Sequence, residues 1–276
     1  MPTEDAAAGH YAREGLAEAV FAALAAAGKV RETLTPADLA PVDEFHLGGR
    51  TATEAFAASF GAPPGGRLLD IGSGLGGASR YFAEHGAGHV SGVDLTANFV
   101  ATATALAEAV GLADRVDYRV ASALDLPFEA RTFDGAWLLH VGMNIADKAR
   151  LFAEARRVLK PGARFGIYDV MRTGPGDIAY PTPWASEAAH SFVETPAAYR
   201  AGLEAAGFEV EAETSRRDLV LQVLDRMAAR AAASGGPPPL GLQIVMGPTA
   251  GRKMANLRAA LDAGIAAPVE IIARAA

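Results

Sequence analysis

The feature that most constrains this chain is a glycine-rich turn at the end of a short apolar run. Asp70-Ile71-Gly72-Ser73-Gly74-Leu75-Gly76-Gly77 follows directly on Arg67-Leu68-Leu69. Gly72, Gly74 and Gly77 have the spacing G-x-G-x-x-G. After a strand, that spacing lets the backbone turn tightly, approach a ligand and start a helix packed on a sheet. The turn opens a strand–helix alternation. Strands are predicted over 67–71, 89–94, 115–121, 133–139 and 164–171, with helices over 78–85, 96–110 and 145–159 between them. Helices over 196–206, 217–233 and 249–263 and strands over 207–214 and 269–273 extend the pattern. Repeated βα order predicts an α/β fold with a doubly wound, mostly parallel sheet of seven strands.

The flanks of this pattern read differently. A helix is predicted over 10–28, with Leu16, Val20, Phe21 and Leu24 on one face. Residues 29–50 are expected to be irregular, broken by Pro36 and Pro41, and a helix follows over 51–60. Pro63-Pro64-Gly65-Gly66 interrupts the chain. Residues 1–60 are therefore expected to form a helical lid, and 61–276 the core. Residues 173–192, which hold Gly174, Pro175, Gly176, Pro181 and Pro183, predict an insertion after the fifth strand. Together with the N-terminal helices and part of 234–247, this insertion is expected to cover the site.

Composition bounds the chemistry. Against 25 Lys and Arg stand 32 Asp and Glu, a net charge of −7, which argues against nucleic acid as the main partner. Half of the residues are hydrophobic, enough for a sizeable core, and there is no cysteine. A disulfide scaffold, a thiolate metal site and a cysteine nucleophile are excluded. No His/Asp/Glu grouping has metal-ligand spacing. The start Met1-Pro2-Thr3-Glu4-Asp5 lacks the basic flank of a secretory signal, and the apolar run over 19–27 is too short to span a bilayer. A cytoplasmic protein without membrane partners is expected.

The acids beside the glycine turn select among ligands. Asp70 would repel a pyrophosphate packed against the turn, but suits an ammonium group. Asp94 ends the second strand, where a carboxylate can accept both ribose hydroxyls. Together they ask for a nucleoside with a cationic tail and no phosphate, which describes S-adenosylmethionine (SAM). A turn with a purely structural role and an NAD-binding domain are the competing readings.

Longer segments carry a resemblance. Leu68 to Phe82, LLDIGSGLGGASRYF, resembles the first motif of class I SAM-dependent methyltransferases. Gly92-Val93-Asp94-Leu95-Thr96 resembles their second motif, Ala123 to Phe128 their adenine-side motif, and Arg157 to Gly162 the turn before strand five. Asp43 to Arg50, His140 to Ile145, Tyr168-Asp169-Val170 and Pro183-Trp184-Ala185 are similar to a subgroup with sarcosine/dimethylglycine N-methyltransferases and quinone-biosynthesis methyltransferases. The resemblance implies SAM as cofactor, held by Asp70, Gly72, Gly74, Asp94, Leu95, Ser122, Ala123, Leu124 and His140. It departs from the pattern at Ser122, where Asp or Asn is usual, at Gly142, where a polar residue is usual and a wider or less polar pocket is expected, and at Gln243, where His is expected.

Methyl transfer from a sulfonium needs orientation above all. An amine must be neutral to attack, while a hydroxyl or carbon acid also needs a base. His140, after strand four, is the first candidate base, and Tyr168 the second catalytic candidate. His46, Arg50, Met143, Asn144 and Trp184 are candidate substrate contacts. Arg50 would pair with a carboxylate, Trp184 would face an ammonium, and Asn144 would cap the following helix. The leading function is methyl transfer to a small molecule, with an amine nitrogen favoured. The alternatives are a SAM-consuming lyase or cyclase that releases methylthioadenosine, an O- or C-methyltransferase, and a non-catalytic SAM-binding protein. A homodimer is left open.

Overall fold

The computed structural model describes Gly9, Tyr11 and residues 15–236 and 238–276. The reading of Met1 to Asp5 and the first turns of the helix expected over 10–28 lie outside the described residues. That helix, α1, spans Leu16–Ala26 and buries Leu16, Val20 and Leu24.

The stretch expected to be irregular contains a helix, α2 (Pro36–Asp43). Pro36 is its first residue, where a missing N–H costs nothing. Thr35 and Asp38 form a reciprocal capping box at its start. Pro41 lies inside it without ending it. The next helix, α3, spans Gly49–Phe60.

The core then alternates: β1 (Arg67–Ile71), α4 (Gly77–Glu84), β2 (His89–Asp94), α5 (Ala97–Ala109), β3 (Val116–Val120), β4 (Phe133–Leu139), α6 (Lys148–Val158) and β5 (Leu159–Arg172). After the 173–192 segment come α7 (Pro196–Ala205), β6 (Phe208–Ser215) and α8 (Arg217–Ala233). A short helix that the sequence reading lacks, α9 (Gln243–Met246), precedes α10 (Ala250–Asp262) and β7 (Ala266–Ala275). Among the described residues the strands form one seven-stranded sheet in the order β3-β2-β1-β4-β5-β7-β6. β1 to β5 run parallel, whereas β7 is antiparallel to both β5 and β6.

This order reverses between β1 and β4, and ligand crevices in doubly wound sheets open outside the carboxyl ends of the strands at that point. One face of the sheet is covered by α6 and α7, where Leu151, Phe152 and Tyr199 join Leu69, Phe165 and Ile271. On the other, Phe56 and Phe60 of α3 pack with Phe82, Trp137 and Ile272. α1 and α2 meet α5 and α9 through Val20, Leu39, Phe99, Leu106 and Val245. No helix among the described residues is long and apolar enough to cross a membrane.

Candidate active site

The glycine turn occupies the carboxyl end of β1. Gly72 has φ 76°, and a Cβ there would lie 2.3 Å from Val141 Cγ2. A left-handed backbone with no lateral room accepts only glycine. Gly74 differs: its φ is 53°, but a Cβ would meet nothing within 4 Å. The open space beside it is where a ligand can lie against bare backbone. The Gly72 and Ser73 N–H groups donate to Val93 O, and Gly74 N–H donates to Asp94 Oδ2 at 2.9 Å. Asp94 Oδ1 accepts from Thr96 N–H at 2.8 Å. Asp94 thus ties the turn to the end of β2.

A cavity of about 450 Å³ opens over this turn. Its floor includes Asp70, Gly72, Gly74, Asp94 and Leu95, with Ala123 and Leu124 from the loop after β3. Asp70 is buried and accepts from Ser79 Oγ at 2.6 Å. Burial pushes its carboxyl up to about 7, partly offset by that hydroxyl. A cation beside it would restore the ionised form. Burial also raises Asp94, against the pull of its two backbone donors. Ser73 Oγ is buried without a partner. Open space at Gly74, a free hydroxyl and two carboxylates without an opposing cation fit the ribose and cationic tail of SAM. Ser122 is set differently from expectation: it is not a wall residue, and its Oγ accepts from Leu124 N–H at 3.0 Å, shaping the turn that Leu124 extends into the cavity.

His140 and His46 face each other at the cavity, with ring centroids 6.0 Å apart. His140 follows β4 in a left-handed conformation, φ 60°, and its N–H donates to Tyr168 O at 2.7 Å. Its Nε2 is buried without a partner. Burial, then the neighbouring His46, hold its pKa well below the ordinary value. His46 is also buried, which lowers it to about 4, although the Gly49 backbone and Asp43 oppose the shift. Both imidazoles are neutral at neutral pH. His46 Nε2 lies 3.0 Å from Thr53 Oγ1, which donates to Glu44 Oε2 at 2.7 Å. Glu44 is paired in turn with Arg50 Nε at 2.8 Å.

Two expected contacts are therefore corrected. Arg50 does not reach the cavity wall; it is held by Glu44, donates to Pro36 O and lies over the Tyr81 ring. Tyr168 is fully buried and donates its hydroxyl to Leu47 O at 2.8 Å, bracing the loop that carries His46. Burial raises its pKa above the usual tyrosine range. Met143, Asn144 and Trp184 do line the cavity. Trp184 donates its Nε1 to Ser191 Oγ at 2.9 Å, leaving the ring as its contribution. Asn144 does not cap α6; Asp147 does, accepting from Arg150 N–H. Gly142 does not widen the pocket. A Cβ there would fall 2.4 Å from both Asp169 Oδ2 and Tyr199 Oη, so the glycine lets the backbone close over that buried pair.

Some participants were not singled out as site residues, although Asp43 and Glu44 stand in the Asp43 to Arg50 segment that carries the resemblance. Asp43 lines the cavity and pairs inside the protein with Arg80 of α4, Nη2 to Oδ2 at 2.7 Å. Glu44 and Thr53 stand behind His46, and Met227, Met246 and Met254 line the cavity from α8, α9 and α10. Among the described residues, no group of three or more His, Asp or Glu could hold a metal.

A sheet of this order with a reversed last-but-one strand, and a glycine turn between two acids at its switch point, defines the class I SAM-binding fold. Comparison with known proteins agrees. Residues 69–167 match the family model of a methyltransferase domain. The chain is 31% identical over 179 residues to phosphoethanolamine N-methyltransferase 1 of Arabidopsis thaliana, covering 65% of this chain and 36% of that protein. It resembles the structure of geranyl diphosphate C-methyltransferase from Streptomyces coelicolor, solved with Mg²⁺, geranyl diphosphate and S-adenosylhomocysteine. That likeness has a TM-score of 0.65 and 20% identity, over 82% of this chain and 80% of that one. It also resembles the cyclase SpnF, with a TM-score of 0.60 and 24% identity, over 81% and 79%. The matched stretches span 50% or less of the curated relatives. Residues 69–167 are thus a methyltransferase domain, and the chain has the class I SAM-dependent methyltransferase fold, whose cofactor is SAM.

Proposed function

We propose that this chain transfers a methyl group from SAM to a small molecule, with a neutral amine nitrogen as the favoured acceptor. The observation that carries the reading is the single cavity joining the glycine turn and its two acids to a pair of neutral imidazoles. SAM bound there would supply an electrophilic methyl group on a sulfonium. Asp94 would hold the ribose hydroxyls, the turn backbone and Asp70 the cationic end, and Leu95, Ala123 and Leu124 the adenine. His140 would pack beside the reacting end, and His46 would orient the acceptor.

The low basicity of both histidines favours a nucleophile that needs little help. An imidazole lowered to about 4, as His46 is, makes a poor base for an alcohol at neutral pH. An amine entering an apolar cavity sheds its proton through desolvation and attacks as it is. The N-methyltransferase among the relatives is consistent with this. The α1–α2 segment, residues 173–192 and the stretch before α10 would form the cover that keeps water from the reaction.

The test is mass spectrometry of purified protein with SAM and a panel of amines. S-adenosylhomocysteine together with a product heavier by one methyl group is the expected result. Methylthioadenosine formed without an acceptor would overturn methyl transfer in favour of self-directed chemistry on SAM. S-adenosylhomocysteine formed only with phenols or carbon acids would move the acceptor atom from nitrogen.

A further inference from the structure

The half of the cavity away from the glycine turn is built from another set of elements. Trp184 reaches it from the 173–192 segment, Leu224 and Met227 from α8, Met246 from α9, and Met254 and Leu257 from α10. This wall stands on the β5–β7 side of the sheet, where Trp184 and Leu257 share a cluster with Leu47, Val170 and Val220. Four of the chain's six methionines line the cavity: Met143, Met227, Met246 and Met254. Methionine makes an adaptable apolar surface that fits varied shapes. Met227 is 52% exposed and marks the mouth.

Charge sorts the possible ligands as sharply as shape does. Among the described residues, no lysine or arginine lines the cavity. The nearby cations are committed elsewhere, buried Lys253 of α10 donating to Met246 O. Arg50 is paired with Glu44, and Arg80 with Asp43. Lys148 donates to the carbonyls of Ile145 and Phe192. The charged residues that do reach the cavity, among them Asp43, Glu44, Asp70 and Asp94, are acids. A carboxylate or phosphate carried into this space would lose its hydration, meet no counter-charge and face like charges. An apolar body laid along the methionine wall would gain about fourfold in affinity for each methylene buried.

Resting on the reading of this cavity as a methyl-transfer site, we propose that the acceptor carries no anionic group. Its nucleophile sits against His46 and His140, and the rest of it is an extended apolar chain or ring system lying along Trp184, Leu224, Met246, Met254 and Leu257. Amphiphilic amines fit this description. Compact amino acids and phosphate-bearing amines do not, which separates this chain from the phosphoethanolamine methyltransferases it resembles in sequence.

The test uses full-length protein saturated with S-adenosylhomocysteine and the neutral fluorescent amine N-phenyl-1-naphthylamine as probe. The probe is expected to bind with micromolar affinity. Butylamine, octylamine and decylamine should displace it with strength rising up to about fifteenfold per added pair of buried methylenes, whereas sarcosine and phosphoethanolamine should not compete. Met254→Lys should weaken probe binding at least tenfold with S-adenosylhomocysteine affinity unchanged. Met227→Lys, at an exposed position, should weaken it several-fold and guards against a folding defect in the first variant. Displacement by sarcosine or phosphoethanolamine at lower concentration than decylamine would overturn the proposal. So would probe binding that neither lysine alters. Failure to bind S-adenosylhomocysteine by calorimetry would count instead against the methyltransferase reading; the probe series on unliganded protein then still decides the nature of the wall.

Discussion

Replacing Arg80 with leucine strikes a buried ion pair that joins α2 to the helix after the glycine turn. The Arg80 side chain is fully buried. Its Nη2 donates to Asp43 Oδ2 at 2.7 Å and to Leu75 O at 2.6 Å, and its Nη1 to Ala103 O at 3.1 Å. Removing one partner of a buried pair costs about 3–5 kcal/mol, because the other charge is left without compensation. The two carbonyls that lose a donor add about 1 kcal/mol each or more. The expected loss, about 5–7 kcal/mol, rivals the whole stability of a domain of ordinary robustness. The double variant Asp43→Leu/Arg80→Leu removes the stranded carboxylate as well. Only the two carbonyls then remain unsatisfied, and about 3 kcal/mol should return. Protonation gives a second handle. Burial already pushes Asp43 up, and without Arg80 it would rise further. A carboxyl raised in the folded state costs stability as pH climbs from its unfolded value toward its folded one. The single variant should therefore lose less at pH 4.5 than at pH 7.5, while the double variant should show no such difference. Urea unfolding followed by the fluorescence of the buried Trp137 and Trp184 reads all of these. A double variant no more stable than the single one, or a single loss below about 1 kcal/mol, would refute the reasoning.

Asp94→Ala should weaken SAM binding by about 1.5–3 kcal/mol, the scale of hydrogen bonds to a charged group, and calorimetry checks it; the variant should also melt earlier, because Gly74 and Thr96 lose their acceptor. Gly72→Ala places a Cβ 2.3 Å from Val141 Cγ2 on a left-handed backbone, so SAM affinity should fall at least tenfold, whereas Gly74→Ala, with open space beside it, should cost only about 1–2 kcal/mol for an alanine on a left-handed backbone and lose affinity through the ligand it displaces. His46 is lowered to about 4; a depressed base contributes stability above its unfolded pKa of about 6.5 that is lost as pH falls toward 4. The stability difference between wild type and His46→Gln should shrink steadily over that interval in urea titrations. His140 is held well below its ordinary value, so His140→Ala should lower kcat without removing any inflection between pH 6 and 8, and a wild-type profile rising through pH 6.5 that flattens in the variant would contradict this.

Much of the frame was legible. β1 and β2 begin and end where their apolar runs meet Gly or Asp, and β4 runs between Thr132 and His140; each is largely buried on both faces. β7 outran its expected limits by several residues because Ala266, Ala267 and Pro268 continue the strand without adding to its apolar pattern. α2 escaped notice because two prolines read as breakers, although one stands at a permitted first position. For the site, sequence order told which residues arrive at the carboxyl edge, and it did so for Asp70, Asp94 and His140, while His46 comes from the N-terminal helical segment. It does not tell which partner claims a side chain once there. Glu44 takes Arg50, Leu47 O takes Tyr168, and Ser122 turns to Leu124, each through contacts that no local spacing encodes. The methionine wall is less legible still, since Met227, Met246 and Met254 stand on three elements that only the tertiary fold brings to one cavity.

Gly142 has a consequence for how such a pocket can diversify. With a Cβ 2.4 Å from both Asp169 and Tyr199, that position cannot acquire a side chain unless two other buried residues change with it. Gly72 is locked to Val141 in the same way. Single substitutions on the strand side of the cavity are thereby barred, and drift there would have to proceed by coordinated replacement. Met227 and Met254 sit on helices at the opposite wall, one of them half in solvent, so each can be exchanged alone at small cost to folding. Variation among descendants of this chain should accumulate at the rim made by α8 and α10, which would let the acceptor change while the reaction stays the same.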